Sequence, residues 1–162
     1  MLFRSLLASE GCGKDLLAPA LRLGALARSA EMVGAAARIL DLAVEHARVR
    51  VQSGRPIGAF QAIQHDCADL LRDVMASRAL VQEAAWLVTK GLEPGAAVAV
   101  AKAFSTEACL RVARRGHQIM GALGYCEEHP LHLFHKRIIA AGLDCGDTSQ
   151  HLETVASSIG LS

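Results

Sequence analysis

Between Leu26 and Val51 apolar side chains recur at Leu26, Ala30, Val33, Ala37, Leu40, Val44, Ala47 and Val51, in alternating steps of four and three. Steps of that size draw one stripe along an α-helix and no continuous face on a strand. No proline interrupts the chain from Pro19 to Pro56, so the stripe predicts a helix from Leu16 to about Gln52, with Asp15 able to cap it. A helix that long needs neighbours of similar length along its apolar face, because isolated helices are marginal in water. This restricts the chain to packed helices.

The rest of the sequence supplies those neighbours. Ser53-Gly54-Arg55-Pro56 breaks the first helix, and a second stripe follows at Phe60, Ile63, Cys67, Leu70, Val74, Val81, Ala85 and Val88. Gly91 and Pro94 end it. A third helix is expected from Gly95 to Met120, with Ala97, Ala101, Phe104, Ala108 and Val112 inward, before Gly121 and Gly124 stop it. A shorter helix opens at Pro130 and runs through Ile139, and a last one spans Asp147 to Ile159. No run alternates strictly enough to be a strand. Short connections make long helices antiparallel, so the expected fold is all-α, an up-down four-helix bundle over residues 15–162. Residues 1–14 do not fit the pattern and stand apart from it.

Composition narrows the function. Seventeen basic and sixteen acidic side chains nearly cancel and form no basic stripe, which argues against nucleic acid as a partner. The apolar run in the first ten residues is too short to span a membrane. The five cysteines, at 12, 67, 109, 126 and 145, include no CxxC pair and suit reduced thiols in the cytoplasm. His129, His132 and His135 share a helical face, but three-residue spacing alone does not make a metal site, and none is expected.

Polar residues gather where helices turn. Arg50 precedes the run Gly54 to Gln61, and Gln118 opens the turn Gly121-Ala-Leu-Gly124-Tyr125. Each has an ordinary reading, as a helix-dipole partner, a C-cap glycine or a solvated amide. Together they resemble acyl-CoA dehydrogenases. Arg50 to Gln61 is similar to that family's R-x-x-F-G-x-P-I-x-x-F-Q, Ala101-Lys-Ala-Phe104 to its A-A-K-x-x, and Gln118 to Tyr125 to its Q-x-x-G-G-x-G-[YF], all in family order. The resemblance covers residues 20 to 160. Residues 1–14 then become the end of the preceding β-domain or a linker.

The resemblance implies the C-terminal bundle of an enzyme that introduces an α,β double bond into acyl-CoA thioesters, with FAD as electron acceptor. It implies dimers or tetramers, formed with itself or with a homologous subunit, in which a neighbour's bundle contacts the adenosine half of FAD. Arg50 corresponds to the arginine that reaches the pyrophosphate, and Gln61 to a glutamine near the adenine. Gln118, Gly121 and Gly124 correspond to the segment along the dinucleotide, and Thr148 and Gln150 to the threonine and glutamine of G-T-x-Q. The departures are as informative. Ser53 replaces the phenylalanine and Ala122 the second glycine. The usual catalytic glutamate falls at Gly146, and a second subgroup's falls near Gly24. The carboxylates nearest those positions are Asp147 and Asp144, with Glu31 two turns beyond Gly24. The pattern His132-x-x-x-Lys136-Arg137, followed by Gly146-Asp147-x-x-x-His151-Leu152, resembles a bacterial branch that includes partner subunits of heteromeric enzymes. The expected role is therefore an FAD-contacting, oligomerising domain, inactive alone. The alternatives are a non-catalytic helical interaction subunit and, a third class, a helical metal or redox protein.

Overall fold

The computed structural model describes residues 13–161, so most of segment 1–14, and with it Cys12, lies outside the described residues. The order is α1 (Gly13–Val49), β1 (Val51–Gln52), β2 (Arg55–Pro56), α2 (Gln61–Thr89), α3 (Gly95–Met120), α4 (Leu131–Leu143) and α5 (Thr148–Ser158). Three long helices stand antiparallel. α4 packs on α1 and α3 while α5 packs on α3, so these two share the fourth position of the bundle. This is the expected all-α architecture. No helix of the described residues is long and apolar enough to cross a membrane.

Helix boundaries differ from the sequence reading at two places. α1 is already helical at Gly13, so Asp15 lies within the helix and not before it. It ends at Val49, because the chain beyond it forms a small hairpin in which Val51 pairs with Pro56 and Gln52 with Arg55. Ser53 and Gly54, with φ of 51° and 77°, make the two-residue turn, and consecutive positive φ values match the right-handed twist of a hairpin.

The core lies between α1 and α3. Along α1 its centre is Ala25, Ser29, Met32, Ala36, Ile39, Ala43 and Ala47, each under 5% exposed. That stripe is turned by one residue from the expected one: Ala30 and Val51 face solvent, while Val33 and Leu40 form its flank. Several of the buried positions are alanine, which lets α3 approach closely through Ala101, Ala108, Val112, Ala113 and Gly116. Phe104, expected inward, is instead 37% exposed, and Ser105 takes the buried place beside it. α4 closes the core with the fully buried Leu131 and Ile138. α2 buries Leu70 and Val74 and adds an ion pair, in which buried Asp73 accepts from Arg111 Nε of α3 at 2.9 Å. Ser77 and Cys109 are buried beside it, and burial pushes the Cys109 thiol up to about 12.

The tightest point of the α1–α3 seam is Gly116. A β-carbon there would overlap Ile39 Cγ2, a branched side chain that is itself fully buried. Gly116→Ala should therefore lower the unfolding free energy by ~1–3 kcal/mol despite the better helix propensity of alanine. In urea melts the double variant with Ile39→Ala should be less destabilised than the sum of the two single changes. Additive effects would mean the two residues do not set the helix separation.

Candidate functional site

The residues singled out from sequence fall at the two ends of the bundle. The first end is where α1 stops. The Arg50 amide closes the last turn on the His46 carbonyl at 2.9 Å, and its own carbonyl accepts from Ile57 N at 2.8 Å, which ties the hairpin back to the helix. The exposed Arg50 side chain lines a cleft of about 520 Å³ together with His46, Gln52 and Ile57. The opposite wall is Ile119, Met120 and the turn Gly121-Ala122-Leu123. The fold thus joins Arg50 to the glycine turn, 71 residues away in sequence.

That turn needs its glycines for different reasons. Gly121 ends α3 with φ of 62°, a left-handed conformation that side chains disfavour. Gly124 has no such backbone, but a β-carbon there would meet Met120 Cβ at 3.0 Å and His117 Nδ1 at 3.2 Å. Ala122 between them is exposed and keeps a negative φ, so the lost glycine costs nothing there. Gln61 opens α2 and Gln118 lies in the last turn of α3; both are exposed, and neither lines the cleft.

Sequence reasoning missed the histidine beneath the turn. His117 is buried, stacks on Tyr125 at 4.7 Å and lies 4.9 Å from the His135 ring of α4. Neither of its ring nitrogens meets a hydrogen-bond partner of good geometry. Burial first, and His135 second, pull its pKa below the ordinary value, so the ring is neutral at pH 7. The only available signal was its place in the α3 pattern, one helical turn beyond Ala113. Among the described residues no group of three His, Cys, Asp or Glu side chains is arranged to hold a metal ion.

The second end is the corner between α4 and α5. Gly24 of α1 and Gly146 of the corner are both near Cys145, and both positions are filled. A β-carbon on Gly24 would lie 2.6 Å from Cys145 Sγ; one on Gly146, whose φ is 102°, would lie 2.8 Å from His151 Nε2. Three nearby carboxylates are occupied. Asp147 caps α5, accepting from Gln150 N at 2.9 Å while its own amide donates to Gln150 Oε1 at 3.3 Å. Glu31 accepts from Arg137 Nε and, at 2.8 Å, from Arg28 Nη1, and these hydrogen bonds hold its carboxyl below the usual range. Asp144 pairs with Arg28 at 3.0 Å. Thr148, the first residue of α5, is half-buried with its hydroxyl 3.5 Å from Glu107 Oε1.

The two ends are far apart. Gly24 and Arg50 are separated by 26 residues of helical chain, a rise of about 39 Å. Arg50 and Gly121 therefore share a cleft, but one chain does not bring them to Thr148 and Gln150.

Burial holds His46, His117, His135 and His151 below their ordinary pKa. Such groups bind protons more weakly folded than unfolded, so their stabilisation is complete above the unfolded value of about 6.5 and is lost as pH falls from there through the lower folded values. The urea midpoint should fall as pH is lowered below about 6.5, and His117→Leu should shrink that fall. A midpoint that does not change with pH would refute the neutral, buried ring.

Comparison with known proteins identifies the family. The model of the acyl-CoA dehydrogenase C-terminal domain matches residues 11–160. The acyl-CoA dehydrogenase IpdE2 of Mycobacterium tuberculosis is 42% identical over 113 residues, which is 70% of this chain and 34% of that protein. Among solved structures, butyryl-CoA dehydrogenase from Megasphaera elsdenii superposes with a TM-score of 0.91 at 29% identity, covering 94% of this chain and 40% of that one. PigA, solved with FAD and proline, superposes with a TM-score of 0.91 at 25% identity over 95% of this chain and 40% of its own. The chain thus spans between a third and two-fifths of these three proteins.

Proposed function

Because this chain belongs to the acyl-CoA dehydrogenase family, matching its C-terminal domain, we propose that it is the FAD-contacting, oligomer-forming part of a cytoplasmic acyl-CoA dehydrogenase and is inactive alone. The observation that carries this reading is the separation of its two polar ends. Arg50 and the Gly121 turn form one half-site and Thr148 with Gln150 the other, about 39 Å apart along α1. That is longer than an extended dinucleotide. One flavin bridged by both half-sites therefore requires two chains, self or homologous, each presenting one end.

The residues fit FAD at the first end. An exposed guanidinium beside a glycine turn suits a diphosphate, which Arg can grip through two parallel hydrogen bonds while the glycine backbone approaches closely. The flavin, when bound, accepts the hydride that leaves the acyl β-carbon as the α-proton is removed. Among the described residues, the three carboxylates expected nearest Gly24 and Gly146 are not free for that proton. Asp147, Glu31 and Asp144 are the candidates of its own, and all three hold structural partners. The base is therefore assigned to a partner subunit.

A second reading, a non-catalytic interaction subunit, is favoured by one observation. Leu16, Leu17, Leu21 and Leu23 are each 45–57% exposed on α1, an apolar surface suited to a protein neighbour. Arg50→Gln separates the two. In the full assembly it should raise the flavin dissociation constant by ~10–100-fold, the worth of a charged hydrogen bond, and leave the subunit mass by light scattering unchanged. Unchanged flavin affinity with lost association would favour the interaction subunit. Stoichiometric FAD and acyl-CoA turnover in the isolated chain would overturn the proposal.

A further inference from the structure

Among the described residues Lys102 is the largest fully buried side chain. It lies in the small-residue stripe of α3, between the buried Ala101 and Ala103. An ammonium withdrawn from water loses several kcal/mol of solvation unless polar partners replace it. Here the partners are backbone carbonyls. Nζ donates to Gly142 O at 2.7 Å and to Gly146 O at 3.1 Å, one on each side of the α4–α5 corner. The first belongs to the last turn of α4, whose carbonyls have no partner within the helix.

The residue between those contacts is held from the other side. His151 of α5 places Nε2 3.1 Å from the Cys145 carbonyl. A carbonyl only accepts, so this nitrogen carries the hydrogen. The corner has an unusual backbone to hold: Cys145 and Gly146 are consecutive left-handed residues, with φ of 59° and 102°. A non-glycine residue in that region costs about 1 kcal/mol or more and persists where its surroundings over-determine it. Three side-chain hydrogen bonds to three carbonyls, with Cys145 Sγ seated against Gly24, supply that determination from α1, α3 and α5. The next residue is Asp147, the cap of α5.

We infer that Lys102 and His151 are positioning residues that clamp the α4–α5 corner by its carbonyls and so aim the first turn of α5, with Thr148 and Gln150, at the flavin. The aim rests on the flavin reading above; the clamp does not. Lys102 differs from a packing residue in one testable way. Lys102→Met keeps most of the volume and removes the cost of burying charge, so the bundle is retained while the corner is released.

The test is hydrogen–deuterium exchange on the full chain, read peptide by peptide. In Lys102→Met, amides 143–151 should exchange ~10-fold faster or more, the scale of a lost buried hydrogen bond, while the central turns of α1 and α3 are unchanged. His151→Leu should do the same, and His151→Gln, which keeps an N–H donor, should restore protection. The His151 pair stands alone if Lys102→Met fails to fold. Wild-type exchange at the corner in Lys102→Met and His151→Leu, or acceleration spread evenly over all helices, would overturn the clamp. The second measurement is flavin affinity in the full assembly. Weakened binding in His151→Leu, recovered in His151→Gln, supports the aim of α5. A released corner with unchanged flavin affinity would overturn that aim and leave the clamp standing.

Discussion

The seam between α1 and α3 sets the geometry of everything else. Its inner positions are Ala36, Ala43, Ala101, Ala108, Ala113 and Gly116, interleaved with a few large side chains such as Met32, Ile39 and Val112. Small residues bring two helix backbones close, and close-packed interiors transmit any change in that distance. Ile39 fits only because Gly116 has no β-carbon. The ends of these helices carry the Arg50 hairpin and the Gly121 turn. The width of the cleft between them is therefore fixed by alanines farther along the two helices and by a glycine little more than one turn from its wall.

The buried polar groups mark where this packing is interrupted for a reason. Asp73 joins α2 to α3 through Arg111, and both ends of that contact are satisfied. Lys102 joins α3 to the corner through two carbonyls. His117 has no such partner, and it sits directly under the glycine turn that walls the Arg50 cleft. Neutralising the ring through burial lowers the cost of leaving it unpaired. The ring is held instead by stacking, between Tyr125 of the turn and His135 of α4.

Much of this was legible in the sequence, at differing depth. Period and length gave the helices, because a 4–3 repeat over dozens of residues has one solution. The phase was harder. The sequence stripe through Leu26, Ala30 and Val33 is a flank of the true one through Ala25, Ser29 and Met32, since alanine and serine carry little hydrophobic signal yet occupy the closest contacts. Phe104 was misplaced for the converse reason: a large apolar residue draws the eye inward, but the tight seam takes Ser105. Motif resemblance brought out Arg50 and the Gly121 turn, and the fold joins them in one cleft. It did not bring out Lys102 or His151 as a pair. Their partners are backbone carbonyls 40 and 44 residues from Lys102 and six from His151, and a carbonyl leaves no trace in a sequence.

The missing carboxylate is the case where sequence and structure say different things. In sequence, Gly24 and Gly146 are two absences, each open to reversal by one substitution. In the fold they are one packed feature. Cys145 Sγ fills the space beside Gly24, and its own left-handed backbone leads directly into Gly146, where His151 fills the space. A glutamate at 24 would have to displace the thiol. One at 146 would need to leave φ of 102° and push aside the ring that holds the neighbouring carbonyl. Lys102 adds resistance, because any shift of Gly146 withdraws a carbonyl from a buried ammonium. The corner is thus stabilised in a shape that excludes a side chain at either position. A carboxylate at either position would therefore require the corner itself to be rebuilt.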